Sequence, residues 1–227
     1  MGFDLVVEAL AGMALEPRGP RWASISYCVV DAVWSISARY DQVVLPLVGR
    51  VAARNGDPRP LVGAGEPLPA DPLPLAAFRA RYPDAMALRS DTNGERTSTT
   101  GGISKADAAL RYAGILDAHD VPDLHAVAGL RADRERWEAV NLALAAVPGE
   151  GRLGIRRGCL WMHCGDDTAG EPDRLILRWL ARHGVPATPD EGRAVLERAA
   201  GTLTGRLGRP VTPWMVGRAI RTRERAH

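Results

Sequence analysis

Lysine is nearly missing from this chain: Lys105 is the only one, and arginine supplies 28 of the 29 basic groups. Arginine suits the planar, bidentate geometry of phosphate, although an arginine-for-lysine bias across a proteome would give the same count. Cysteine is scarce and odd in number. Cys28, Cys159 and Cys164 show no Cys-x-x-Cys spacing, which argues against a disulfide framework. No apolar stretch approaches membrane-spanning length, and the run from Met1 to Glu8 carries acids where a secretory leader needs basic residues. The expectation is a cytoplasmic protein with no membrane partner. Strand-like alternation is also missing, and there is no internal repeat.

What is present fits an ordinary globular protein: 227 residues with 46% hydrophobic and 25% charged side chains, enough for one large domain or two lobes. The net charge of +2 hides an asymmetry. Residues 151–227 hold 14 arginines against 8 acids, whereas residues 1–150 hold 15 basic groups against 19 acids, so the C-terminal third is the better face for a polyanion.

Apolar spacing predicts an all-α chain of roughly ten helices. Leu5, Val6, Leu10 and Met13 mark a terminal helix over about 3–15, ending before Pro17 and Gly19. Val29, Val30, Val33, Trp34, Ile36, Val43, Val44, Leu47 and Val51 fit two consecutive helices hinged near Tyr40 and Asp41. Proline and glycine crowd 56–74, which predicts a surface loop, and a short helix is expected over 74–82. Residues 90–102 read as a polar, mobile turn region. Ser104 is a good N-cap for a helix from Lys105 to about His119. Two helices are expected over 124–146, and Thr188-Pro189 and Thr212-Pro213 each place an N-cap before a proline at the first helical position.

The most informative stretch is Val147-Pro148-Gly149-Glu150-Gly151, with Asp173 twenty-two residues after the second glycine. Two glycines around one residue expose consecutive N–H groups that suit a phosphate oxygen, and a following helix adds its positive N-terminus. The same residues also make an ordinary inter-helix turn. Asp173 in turn is either a reactive carboxylate or a helix cap paired with Arg174 or Arg178.

In their order, these features resemble the helix-hairpin-helix DNA glycosylase superfamily (HhH-GPD), typified by endonuclease III. Val147-Pro148-Gly149-Glu150-Gly151 resembles its Leu-Pro-Gly-Val-Gly hairpin, and Pro172-Asp173 with Arg178 resembles the segment carrying its catalytic Asp. Gly102-Ile103-Ser104-Lys105-Ala106 is similar to its Ser-Lys-Ala helix start, and Asp31-Ala32-Val33-Trp34-Ser35 sits where an early buried helix leads to the DNA cleft. The resemblance spans about 28–180. It implies two helical lobes, 1–25 plus 170–227 and 26–169, the latter ending in a helix-hairpin-helix over 147–164, with an active-site cleft between them. It implies binding of double-stranded DNA, a nucleoid-associated location and no obligate protein partner.

By this resemblance Asp173 is the catalytic residue, and Gly149, Gly151, Arg152, Arg156 and Lys105 are the phosphate contacts. Ser35, Ser37, Arg39, Tyr40, Trp161 and His163 are nominated as lining of a base pocket, although a tryptophan such as Trp161 is more often a core residue than a base-stacking platform, and Arg152 and Arg156 are equally a solvated face. Members that also cut the backbone place a lysine two residues after the second hairpin glycine; here Leu153 stands there. Without that amine no Schiff base with the sugar forms. The family's four-cysteine motif is absent, and three scattered cysteines cannot supply four ligands, so no iron–sulfur cluster or other cofactor is expected. His163, Cys164, Asp166 and Asp167 are neighbours in sequence but point in different directions on a helix, so no metal is expected.

The implied function is a monofunctional DNA glycosylase. It would flip a base out of the stack and hydrolyse its N-glycosidic bond, leaving an abasic site. The long stretches 56–74 and 90–102 would shape an enlarged pocket for a bulky damaged base, or for a hypermodified base of the kind found in some phage genomes. The rival function is a noncatalytic helix-hairpin-helix DNA-binding module.

Overall fold

Helix-start signals written into the sequence are used as such in the fold. The computed structural model describes residues 2–17, 19–63, 66–150, 154–165 and 172–225. In chain order the elements are α1 (Gly2–Ala11), β1 (Arg21–Trp22), α2 (Ile25–Trp34), a π-helical segment (Tyr40–Val44), α3 (Leu45–Arg54), β2 (Leu61–Val62), α4 (Leu75–Arg81), α5 (Ala85–Asp91) and α6 (Lys105–Ala118). They continue with α7 (Ala126–Ala132), α8 (Arg134–Ala145), α9 (Ile155–His163), α10 (Arg174–Arg182), α11 (Pro189–Leu207) and α12 (Pro213–Arg225). Ser104 caps α6 by accepting the Asp107 N–H, and Thr188 and Glu191 close a reciprocal capping box at the start of α11. The chain is mostly helical, as its periodicity predicts.

The differences are local. β1 and β2 form an antiparallel ribbon of two residues each, too short to leave an alternating pattern in the sequence. The hinge expected at Tyr40 is a π-helical turn. Helix α5 is unexpected, and its signal was Asp84, whose carboxylate accepts the Ala87 N–H at 2.8 Å. Within the surface loop expected over 56–74, Asp71 and Leu73 are tied to neighbouring segments. Asp71 accepts the N–H groups of Ile25, Leu73 and Leu124, and the hydroxyls of Ser24 and Ser26 both donate to Leu73 O. Residues 95–105 close on themselves through Thr97 N to Ile103 O and Lys105 N to Glu95 O, each 2.8 Å.

The chain divides into two compact units, residues 1–19 with 165–227, and residues 20–164. In the first, α1, α10, α11 and α12 bury Val6, Leu10, Ile176, Trp179, Leu180, Leu196, Leu203 and Ile220 in a core of its own. Arg178 and Arg182 converge on Glu224 at its rim. In the second unit, α2 is the central element: all ten of its residues are buried, packed by α3, α4, α6 and α9. Burying each of its large apolar side chains contributes roughly 1.5–3 kcal/mol. A helix apolar on every side belongs in an interior, and the one acid in it, Asp31, therefore requires a dedicated set of partners. Among the described residues no helix is long and apolar enough to cross a membrane.

Candidate functional site

Val147 to Glu150 form a type II turn between α8 and α9. Glu150 N–H donates to Val147 O at 3.1 Å, Pro148 occupies the first central position, and Gly149 has φ +85°. A β-carbon on Gly149 would stand 2.0 Å from Thr97 Oγ1, so the position demands glycine for both conformation and space. The Glu150 side chain then ties the turn down from inside. Its Oε1 accepts both N–H and Nε–H of Arg157 at 3.0 Å, and its Oε2 accepts the Tyr112 hydroxyl. Burial, then the Glu150 carboxylate, pushes the Tyr112 hydroxyl up, so it stays a donor. Gly149→Ala is expected to cost about 1–3 kcal/mol from backbone strain alone. The measurement is a fall in denaturant midpoint at unchanged slope.

Two residues nominated as phosphate contacts are instead spent within the fold. Arg156 is 2% exposed; its guanidinium donates to Gly149 O and lies 3.8 Å from Glu150 Oε2, so it braces the turn rather than extending from it. Lys105 is also buried. Its ammonium reaches Trp34 O at 3.0 Å, Ile36 O at 3.1 Å and Glu95 Oε2 at 2.7 Å, which occupies all three of its donors on the last carbonyl of α2, one carbonyl of the connection after it and one acid. Gly151, Arg152 and Leu153 lie outside the described residues.

Asp173 is the N-cap of α10. Oδ1 accepts Leu175 N–H at 2.9 Å and Ile176 N–H at 3.0 Å, and Oδ2 lies 3.6 Å from Arg221 Nη1. Of the two arginines expected to pair with it, Arg178 turns to Glu224. The carboxylate is thus fixed through one oxygen by backbone donors, with a guanidinium near the other.

Three of the six nominated pocket residues come together, around a carboxylate not nominated with them. Asp31 Oδ1 accepts from Ser35 Oγ at 2.6 Å and from His163 Nε2 at 3.0 Å; Oδ2 accepts from Trp22 Nε1 at 2.6 Å and Tyr40 Oη at 2.8 Å. Burial pushes the Asp31 carboxyl up, but the facing His163 and the hydrogen bonds from His163, Ser35 and Trp22 outweigh it and hold the group below its ordinary value. Burial, and then Asp31, pushes the Tyr40 hydroxyl up. One turn earlier on α2, the Cys28 thiol is fully buried and is raised by burial and by the adjacent Cys164 thiol. The signal for Asp31 was available: a lone acid inside the otherwise apolar run from Tyr27 to Trp34.

The other nominees are elsewhere. Ser37 sits in the connection after α2 with φ +61°, and Arg39 is exposed with its guanidinium on Gln42. Trp161 is core: it packs on Trp137 with ring centroids 4.5 Å apart and donates to Asn141 Oδ1 at 2.9 Å. Among the described residues no group of three or more His, Cys, Asp and Glu is gathered in a way that would hold a metal ion.

No curated protein and no solved structure matches the chain. A family profile does match, over residues 5–225. That span is nearly the whole sequence, so the chain belongs to the family described as a domain of unknown function, DUF8548.

Proposed function

We propose that the chain binds duplex DNA and hydrolyses the N-glycosidic bond of a damaged or modified base, with Asp173 as the catalytic carboxylate. The observation that carries this is the state of Asp173. Two backbone N–H groups immobilise it through Oδ1, and a fixed negative charge is what a bond-breaking step with positive charge developing at the sugar requires. In that step the C–N bond breaks with its electron pair moving to the base. Water oxygen bonds to the anomeric carbon, and the proton lost from water is balanced by one gained on the departing base. The type II turn between α8 and α9 supports the phosphate-gripping part of the proposal, with Gly149 in the turn and Gly151 and Arg152 following it in sequence.

With leucine in place of the hairpin lysine and the Lys105 ammonium buried on three acceptors, the chemistry proposed is base removal without strand cleavage. Borohydride is therefore expected to trap no covalent protein–DNA adduct; efficient trapping would contradict the monofunctional assignment. The deciding test is mass spectrometry of bases released from a panel of damaged and modified duplexes. Free base with matching abasic sites is the expected result.

A second reading, a noncatalytic DNA-binding module, is favoured by one observation: capping α10 beside Arg221 already gives Asp173 a structural role. Duplex binding with no base release from any substrate would select it. No duplex binding at low salt would remove both.

A further inference from the structure

The hydrogens around Asp31 all point one way. A carboxylate has about four lone-pair sites, and all are taken, two on each oxygen, by Ser35, His163, Trp22 and Tyr40. A hydroxyl has a single hydrogen, so Ser35 and Tyr40, having given theirs to Asp31, have only lone pairs left to offer. A neutral imidazole whose Nε2–H is spent presents Nδ1, again an acceptor. Trp22 has only the one donor and is buried. Asp31 itself is fully buried, while the Tyr40 residue is 38% exposed and the His163 side chain 14%.

The same segment is held in one shape. Lys105 pins Trp34 O and Ile36 O, Ser37 occupies the left-handed region at φ +61° without being glycine, and a π-helical turn starts at Tyr40. Such departures from regular backbone persist where the surroundings over-determine them, and they concentrate at binding sites.

We propose that Ser35, Tyr40 and His163 form an acceptor-only recognition site, ordered from behind by Asp31, for the hydrogen-donating edge of an amino-bearing nucleobase. The acceptor-only character follows from the hydrogen bonds for Ser35 and Tyr40, and for His163 it holds with the imidazole neutral. The choice of a nucleobase among amino-bearing ligands rests on the glycosylase reading. A site of this kind discriminates through what it leaves unsatisfied, because a ring lacking the amino group strands desolvated acceptors without donors.

The test compares free adenine with purine, the same ring without the amino group, on the full chain by NMR, at a pH well above the ordinary imidazole range. Adenine is expected to shift the His163 ring and Trp22 indole resonances and to bind about tenfold or more tightly than purine. Tyr40→Phe removes one acceptor from a part-exposed position and is expected to erase most of that preference, while the Trp161 and Trp179 indole signals report an intact fold. Asp31→Asn brings its own N–H donors, turns a neighbouring hydrogen outward and is expected to abolish the preference; if that variant fails to fold, Tyr40→Phe still decides.

Equal binding of adenine and purine, shifts confined to residues away from Asp31, or an unchanged preference in Tyr40→Phe each overturns the site. No DNA or turnover is involved, so the two proposals fail separately. Base release from DNA alongside equal adenine and purine binding would remove only this site, and amino-selective binding without base release would remove only the glycosylase.

Discussion

Asp173→Asn is expected to lower base release by about 10²–10³-fold, the scale of removing one preorganised electrostatic contact to a transition state. Duplex binding should persist, since removing a negative charge does nothing to weaken attraction for phosphate. The substitution is informative because of how the residue is held. The cap on α10 is made by one side-chain oxygen accepting from Leu175 and Ile176, and asparagine, itself a favoured N-cap, keeps such an oxygen. What it loses is the charge, including a part-exposed pairing with Arg221 at 3.6 Å that contributes little to stability. Melting temperature should therefore stay near that of the parent while kcat collapses. Asp173→Ala, by contrast, should lose the cap as well, about 1 kcal/mol. A rate undiminished in Asp173→Asn would leave Asp173 as a cap only.

Asp31→Ala is expected to produce the largest loss of stability, about 3–5 kcal/mol, because removing one partner of a buried charge network strands the others. Indole, phenol, hydroxyl and imidazole donors would all be left facing a cavity in the most buried helix of the fold. Equilibrium denaturation measures this, and a loss under 1 kcal/mol would mean that the donors find other partners.

The same carboxylate gives a pH signature. Its folded-state pKa is depressed below the ordinary aspartate value, so the unfolded chain binds its proton first as pH falls. The stabilisation is fully present above the ordinary carboxylate range and is lost as pH drops through the lower, folded value. An acid limb in the stability curve below about pH 4 is expected, and it should shrink in Asp31→Asn. If the limb were unchanged in that variant, other carboxylates would account for it.

Much of the helical framework was legible because its signals are local. Ser104 before Lys105, and Thr188 and Thr212 before their prolines, work within one turn of chain, and the helices start where these residues say. The glycine turn was legible too. Pro148-Gly149 specifies a type II turn by φ preference alone, whatever the turn then holds. Elements whose partner is distant were not legible. The β1–β2 ribbon pairs residues about forty apart in the chain and has only two residues per strand. Helix α5 is too short for a periodic pattern and is announced only by Asp84.

For the candidate site the division has the same cause. Composition and periodicity by themselves determined a mostly helical chain rich in arginine, the turn at Gly149 and an acid at the head of α10, since each depends on residues within a few positions of one another. Which polar groups face solvent and which are consumed inside was decided only by tertiary structure. Lys105 and Arg156 look like surface cations in the sequence, but contacts across the fold at Trp34, Ile36 and Glu95, and a carbonyl seven residues back at Gly149, take them inside. Asp31, Tyr40 and His163 become one network because α9 packs against α2, 132 residues of chain separating the acid from its imidazole. Apart from Ser35, four residues on at the end of the same helix, the neighbours of this carboxylate are set by packing in three dimensions, and no spacing rule along one helix encodes them.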